Sequence, residues 1–160
     1  MKEGSLKLIL KLLKCLIEKI YLSFHDNLVY YDSVTRCKSR FYYDAIVRMK
    51  YENVECRIVY IDINDLKQVN DNLGHGMGTQ YIKCIADQLL ELPRVRHVCR
   101  IGGDEFALIC TTDFDEKELS RIKGISYGLV HKFKDEPFDD TMRKADTKMY
   151  EMKKAMKKDS

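Results

Sequence analysis

Residues Arg100-Ile101-Gly102-Gly103-Asp104-Glu105-Phe106 carry the strongest chemical signal in this chain of 160 residues. Two glycines and two acids stand between the apolar runs Val95–Ile101 and Phe106–Cys110, and paired runs around a glycine turn predict a β-hairpin. The tip then presents the carboxylates of Asp104 and Glu105 beside a backbone without side-chain bulk. That arrangement suits a divalent cation and leaves room for phosphate oxygens at Gly102 and Gly103. Taken alone, it suits an ordinary solvated turn equally well. A further acid shifts the balance. Asp62 lies in the apolar run Tyr60-Ile61-Asp62-Ile63-Asn64, where an unpaired charge is costly, so it either caps the next helix or meets a cation. If the first strand lies beside the hairpin, Asp62 and Asp104 converge, and Mg²⁺ (or Mn²⁺) relieves their repulsion.

Periodicity gives the elements that must bring these groups together. Arg40–Tyr51 has helical spacing, and the β-branched run Arg57–Ile63 predicts a buried strand. Gly74, Gly76 and Gly78 punctuate a loop before a helix from about Thr79 to Leu92, which Pro93 follows. After the hairpin come a short helix over Asp115–Lys123, a strand over Ile125–His131 and a final helix. That helix starts near Pro137 and carries Met142, Ala145, Met149 and Met152 on one face towards Lys157. The order β-α-α-β-β-α-β-α predicts an α+β sheet covered by helices.

Ahead of this unit, Leu6, Ile9, Leu10, Leu13, Leu16, Ile17 and Ile20 share one helical face, with Lys7, Lys11, Lys14 and Glu18 opposite. The expected division is an amphipathic helix within residues 1–30 and a globular domain over 31–160. The helix packs on its own domain, pairs with a second copy, or lies on an anionic membrane surface; the first two are favoured over the third. Its interrupting charges exclude a membrane span, and no secretory signal is convincing, so a cytoplasmic protein is expected. A hydrophobic content of 45% supports a real core, and a net charge of +3 does not demand a nucleic-acid partner. Six cysteines without a C-x-x-C pair read as small buried hydrophobes. His97 and Cys99 alternate on one strand but lack the further ligands of a zinc site.

The segment from Asp62 through Asn64, Lys67, Asn70 and Asp71 to His75 resembles the "D-x-D-x-F-K-x-x-N-D-x-x-G-H" stretch of GGDEF-domain proteins, the diguanylate cyclases. The signature itself is intact at Gly102–Phe106. Asp32, Thr35 and Arg40 match the family's leading motif "D-x-L-T-G-L-x-N-R". Ser126-Tyr127-Gly128-Leu129 is similar to its "S-I-G-V" strand, and Ala145–Lys153 to its closing "A-D-x-A-M-Y-x-A-K" helix. Five collinear motifs over roughly residues 30–158 are far more specific than any one of them.

The resemblance implies a polymerase-palm-like (ferredoxin-like) fold and condensation of two GTP into cyclic di-GMP, with release of pyrophosphate. By match, Asp62, Asp104 and the backbone carbonyl of Ile63 are the metal ligands. Asp104 also holds the general-base position, and Glu105 is a second acid for metal or hydroxyl activation. Lys67, Lys153 and Lys157 fall at phosphate-holding positions; a solvated helix face is the plain alternative for them, above all for Lys157. Asn70 and Thr79 match the base-reading pair, and His75 falls in the same pocket segment. Each domain holds one nucleotide, so two copies must face each other, and the leading helix is the expected means of pairing.

Departures from the pattern bear on specificity. The family usually has Asp where this chain has Thr79. A carboxylate accepts from both guanine N1–H and the N2 amino group, whereas a hydroxyl makes one neutral hydrogen bond and also donates. An ATP-using or mixed cyclic-dinucleotide synthase, similar to the minimal CRISPR-type polymerases, is therefore the alternative enzyme. A nucleotide-binding interaction module without turnover is the alternative outside catalysis. Asn64 replaces the second acid of "D-x-D" and weakens a metal site only if its side chain faces it. Val34, Arg36 and Ser39 erode the leading motif. Pro93 and Arg96 stand where the family's product-inhibition "R-x-x-D" would be, so feedback by that route is not expected.

Overall fold

The computed structural model describes residues 12–14, 16–17 and 29–158. Residues 12–14 and 16–17 are helical, and Leu13, Leu16 and Ile17 of the predicted apolar face are exposed. Most of the rest of the helix expected within residues 1–30 lies outside the described residues. Helical residues 29 and 30 lead into a turn at Asp32–Arg36.

From there the chain forms α1, β1 (Cys56–Ile63), α2 (Leu66–Leu73), α3 (His75–Leu90), β2 (Val95–Arg100), β3 (Glu105–Cys110), α4 (Lys117–Ser120), β4 (Ile125–Lys132) and α5 (Phe138–Lys158). Helix α1 runs through Arg40–Tyr42, a π-helical stretch Tyr43–Val47 and Arg48–Tyr51. The four strands order as β2-β3-β1-β4, with every neighbouring pair antiparallel. Strands β1 and β2 are thus parallel with β3 between them, the split arrangement of a ferredoxin-like sheet. This confirms the predicted α+β class and element order.

Strand β1 is central, and both of its faces are covered. Val59, Ile61 and Ile63 pack with Ile82, Ile85, Ala86 and Leu89 of α3. Cys56 and Ile58 pack on the other side with Tyr43, Val47 and Tyr51 of α1 and Phe138, Met142 and Ala145 of α5. Alternation along a strand places Tyr60 and Asp62 on that second face, towards α5. Helix α5 lies close because of Gly128: a Cβ there would come within 2.0 Å of the Ala145 carbonyl oxygen. Buried Lys132 donates to the carbonyl oxygens of Glu52, Val54 and Phe133, pinning the end of α1 to β4.

Two boundaries differ from expectation. The glycines at 74, 76 and 78 do not form one loop. Only Gly74 breaks the chain, with φ of +83°, and α3 already begins at His75 and includes Gly76 and Gly78. Glycine is tolerated near a helix start when a neighbour needs the space, and Asn70 of α2 occupies the space beside Gly78. The helix expected over 115–123 shrinks to Lys117–Ser120; Leu119 reaches the core from it and Ile122 from the bend that follows. Four described cysteines, Cys37, Cys56, Cys99 and Cys110, are buried as expected; Cys84 is exposed on α3.

Candidate functional site

The sheet register brings the separated acids together. Asp62 on β1 stands directly opposite Glu105 on β3, and the Ile63 amide donates to the Asp104 carbonyl at 2.9 Å. Asp62 is 8% exposed. Its Oδ1 accepts from Lys153 Nζ of α5 at 2.5 Å. One carboxylate oxygen is therefore held by a cation from the helix beneath, as expected for a charge inside an apolar strand.

Two clefts meet at the hairpin tip. The first, of about 750 Å³, is walled by the end of β1 (Ile63, Asn64), the start of α2 (Lys67), Asp104, and Lys153 and Lys157 of α5. The second, of about 510 Å³, lies between α2 and α3 and includes Asn70, His75 and Thr79. Lys67 and Asp104 line both clefts. One is a basic slot edged by Asp65 and Asp104, and the other is large enough for a purine and edged by polar side chains. The structure thus brings every sequence-predicted phosphate and base residue to one end of the sheet.

Local packing fixes the second cleft. A Cβ at Gly78 would sit 1.9 Å from Asn70 Oδ1, so the missing side chain is what lets Asn70 lie against α3. Thr79 Oγ1 donates to the His75 carbonyl at 2.9 Å. With its hydrogen committed, the hydroxyl presents lone pairs to a ligand.

The two tip glycines have different surroundings. Gly103 is open, with nothing within 4 Å of a notional Cβ, and it borders the second cleft. At Gly102 that position falls 2.1 Å from Glu105 Oε2. Glu105 folds beneath Gly102 and accepts from Tyr60 Oη at 2.9 Å, and it lines neither cleft. Burial first, and then the bond to Glu105, push the Tyr60 phenol well above its usual pKa, so Tyr60 remains a neutral donor.

Asn64 lies beyond the strand end. Its amide donates to the Gly124 carbonyl, and its side chain accepts from Ser126 Oγ at 2.8 Å and reaches Met156 Sδ. It braces the wall of the first cleft and leaves the pairing of Asp62 with the tip untouched.

Arg100 emerges from the structure as a tip-holding residue. Its Nη1 meets Asp32 Oδ1 at 3.0 Å and its Nη2 donates to the Gly103 carbonyl at 2.7 Å. Arg40 donates to the Ile101 carbonyl from the other side. Burial raises the Asp32 pKa, but hydrogen bonds from Thr35 and Arg100 outweigh it and hold the carboxyl below the usual range. The leading motif thus works through Asp32, Thr35 and Arg40, and of its eroded positions Ser39 caps α1 and donates to the Val29 carbonyl while the Val34 amide donates to Asp32 Oδ1. The available signal was an arginine ending a strand within reach of an acid at the other end of the domain.

The donor set fits a hard divalent cation. Asp62 adjoins Ile63, whose amide donates to the Asp104 carbonyl, so two acids flank that backbone, although Asp104 lines both clefts and Asp62 lines neither; among the described residues no cluster of three or more His, Cys, Asp or Glu side chains forms a self-sufficient metal cage. Mg²⁺ is typically held in this way, by one or two carboxylates completed by water and substrate phosphates. Among the described residues, no helix is long and apolar enough to cross a membrane.

Comparison with known proteins follows the same lines. Residues 29–123 match the family described as "Diguanylate cyclase, GGDEF domain". The chain is 29% identical over 99 residues to the cyclic di-GMP phosphodiesterase NbdA of Pseudomonas aeruginosa, covering 57% of this chain and 13% of that protein. It is 29% identical to the probable diguanylate cyclase DgcC of Escherichia coli, covering 61% and 28%. It is 27% identical to the diguanylate cyclase VdcA of Vibrio cholerae, covering 77% and 44%. The matched region thus spans less than half the length of each of these relatives. The crystal structure of the coiled coil and GGDEF domain of DgcB from Caulobacter crescentus, in complex with c-di-GMP, superposes with a TM-score of 0.82 over 96% of both chains at 19% identity. The diguanylate cyclase SiaD of Pseudomonas aeruginosa, solved with its activator SiaC, gives 0.70 over 95% of this chain and 68% of that one, at 20% identity. At such identities the likeness is one of fold.

Proposed function

The chain belongs to the diguanylate cyclase GGDEF-domain family, and on that premise we propose that it condenses two GTP into a 3′,5′-cyclic dinucleotide with release of pyrophosphate. The observation that carries this reading is the meeting of a basic, carboxylate-edged cleft and a purine-sized cleft at Asp104 and Lys67.

In this reading a purine enters between α2 and α3, and its triphosphate runs past the tip towards Lys67, Lys153 and Lys157. The open backbone at Gly103 admits it. The 3′-hydroxyl of a nucleotide on a second copy attacks the α-phosphorus; the bond to the pyrophosphate oxygen breaks, and the hydroxyl proton passes to Asp104 as general base; the reciprocal attack in the other direction closes the ring and releases the second pyrophosphate. Asp62, Asp104 and the Ile63 carbonyl would hold Mg²⁺, which when bound neutralises charge developing on the phosphates. Lys153 also steadies Asp62, so it links the acid pair to the phosphate slot. Glu105, held by Tyr60, supports the tip from the opposite face and supplies the second acid near Asp62. Guanine is favoured at Thr79, because the committed hydroxyl can accept from N1–H but has no hydrogen to offer adenine N1.

Two copies must meet for the reaction, and the leading helix is the means we propose. The exposure of Leu13, Leu16 and Ile17 supports a partner from outside the domain. The test is incubation of the full chain with Mg²⁺ and all four nucleoside triphosphates, followed by mass analysis, with Asp104→Ala as control and sedimentation at the assay concentration. Cyclic di-GMP from the wild-type dimer and none from the variant is expected. A linear or absent product, or turnover unchanged in Asp104→Ala, refutes the mechanism; full turnover by a monomer refutes the pairing.

A further inference from the structure

We propose that Asp71 reads the Watson–Crick edge of guanine in the cleft between α2 and α3, supplying the carboxylate that Thr79 does not. This rests on the cyclase reading above. Asp71 is exposed at the edge of that cleft, one residue beyond Asn70. It lies one helical turn from Lys67, yet among the described residues no ion pair or hydrogen bond engages its carboxylate. Among the described residues, the only other carboxylate bordering the cleft is Asp104, at the phosphate end.

The remaining polar groups explain why this acid matters. Thr79 offers lone pairs only, since its hydrogen goes to the His75 carbonyl. Asn70, seated against Gly78, carries both a donor and an acceptor and alone does not choose between purines. Guanine presents two adjacent donors, N1–H and the N2 amino group. A carboxylate accepts from both in a charge-assisted pair. Adenine presents a lone pair at N1, which a carboxylate repels, and its N6 amino group can satisfy one oxygen at most. With no carboxylate at position 79, the acid that α2 already carries at Asp71 therefore preserves guanine selection from the facing helix.

Calorimetric titration of the full chain with the non-reacting α,β-methylene analogues of GTP and ATP, in Mg²⁺, tests this. Wild type should bind the guanine analogue at least tenfold more tightly than the adenine analogue. Asp71→Asn should lose about tenfold on the guanine analogue, which is about 1.4 kcal/mol, and stay within about twofold on the adenine analogue. Adding Thr79→Asp to Asp71→Asn should restore the preference. An Asp71→Asn chain that keeps the full guanine preference, or that loses both analogues equally, overturns the role of Asp71 while leaving the cyclase reading in place. A wild type that prefers the adenine analogue overturns both guanine selection and Asp71. A wild type that binds neither analogue overturns the nucleotide site itself.

Discussion

Replacing Gly78 by alanine should leave the fold intact and weaken the site, because one methyl group acts on the two in opposite directions. The new Cβ would fall 1.9 Å from Asn70 Oδ1 and 2.8 Å from its Cγ. Asn70 must therefore retreat by about 1.5 Å to reach ordinary contact. The neighbour that yields is a short side chain open to the cleft, so α2 and α3 keep their spacing. Alanine in place of glycine favours the helix by roughly 0.5–1 kcal/mol. For a chain of this size the unfolding midpoint should hold or rise by up to about 4 °C. Displacing Asn70 forfeits one neutral hydrogen bond to the base, worth about 1 kcal/mol, or roughly fivefold in affinity. The assay is a double-mutant cycle on binding of the GTP analogue, with thermal melts run alongside. If both substitutions act through one amide, Gly78→Ala and Asn70→Ala each cost about fivefold, and the double variant costs little more than either. Wild-type affinity in Gly78→Ala, or costs that multiply in the double variant, would refute the claim that this glycine exists to seat Asn70.

Two further outcomes test the frame that holds the site. Gly128→Ala places a Cβ 2.0 Å from the Ala145 carbonyl oxygen and 2.6 Å from the Met149 amide nitrogen, both helix backbone that cannot rotate away. It should cost about 3 kcal/mol and lower the melting midpoint by roughly 6–12 °C; a midpoint within about 2 °C of wild type contradicts the close docking of α5. Burial, reinforced by Lys50, Lys38 and Arg96, pushes His97 down to about 4. A depressed histidine favours the fold while neutral, so its contribution is complete above the unfolded value near 6.5 and is lost as the pH falls towards 4. Urea unfolding of wild type and His97→Phe should therefore diverge below about pH 6.5, with wild type losing stability faster; parallel curves down to pH 4 exclude this linkage.

Much of the architecture was legible because its causes are local or periodic. The hairpin followed from two apolar runs about a glycine turn, and β1 from a β-branched run that both faces of the sheet could bury. The start of α3 was misplaced because three glycines read alike in sequence. Only Gly74 adopts a left-handed φ, while Gly78 is there for Asn70 across the helix pair. Arg100 stands at the edge of the signature, but its hold on Asp32 spans 68 positions of chain and has no periodic trace. Asp71 carries no role of its own within its motif, and Tyr60 reads as one more apolar strand residue, until the facing elements are known.

The sequence by itself determined which residue types are present and how far apart along the chain they stand. That was enough to mark acids lodged in apolar runs, lysines on a late helix and the family those spacings belong to, since burial cost and turn chemistry act over a few residues. Tertiary structure alone decided which oxygen meets which cation. The pairing register set Asp62 opposite Glu105, and the docking of α5 over Gly128 brought Lys153 to Asp62 across 91 positions. Contacts of that kind depend on the summed geometry of four strands and their covering helices, and no single segment encodes them.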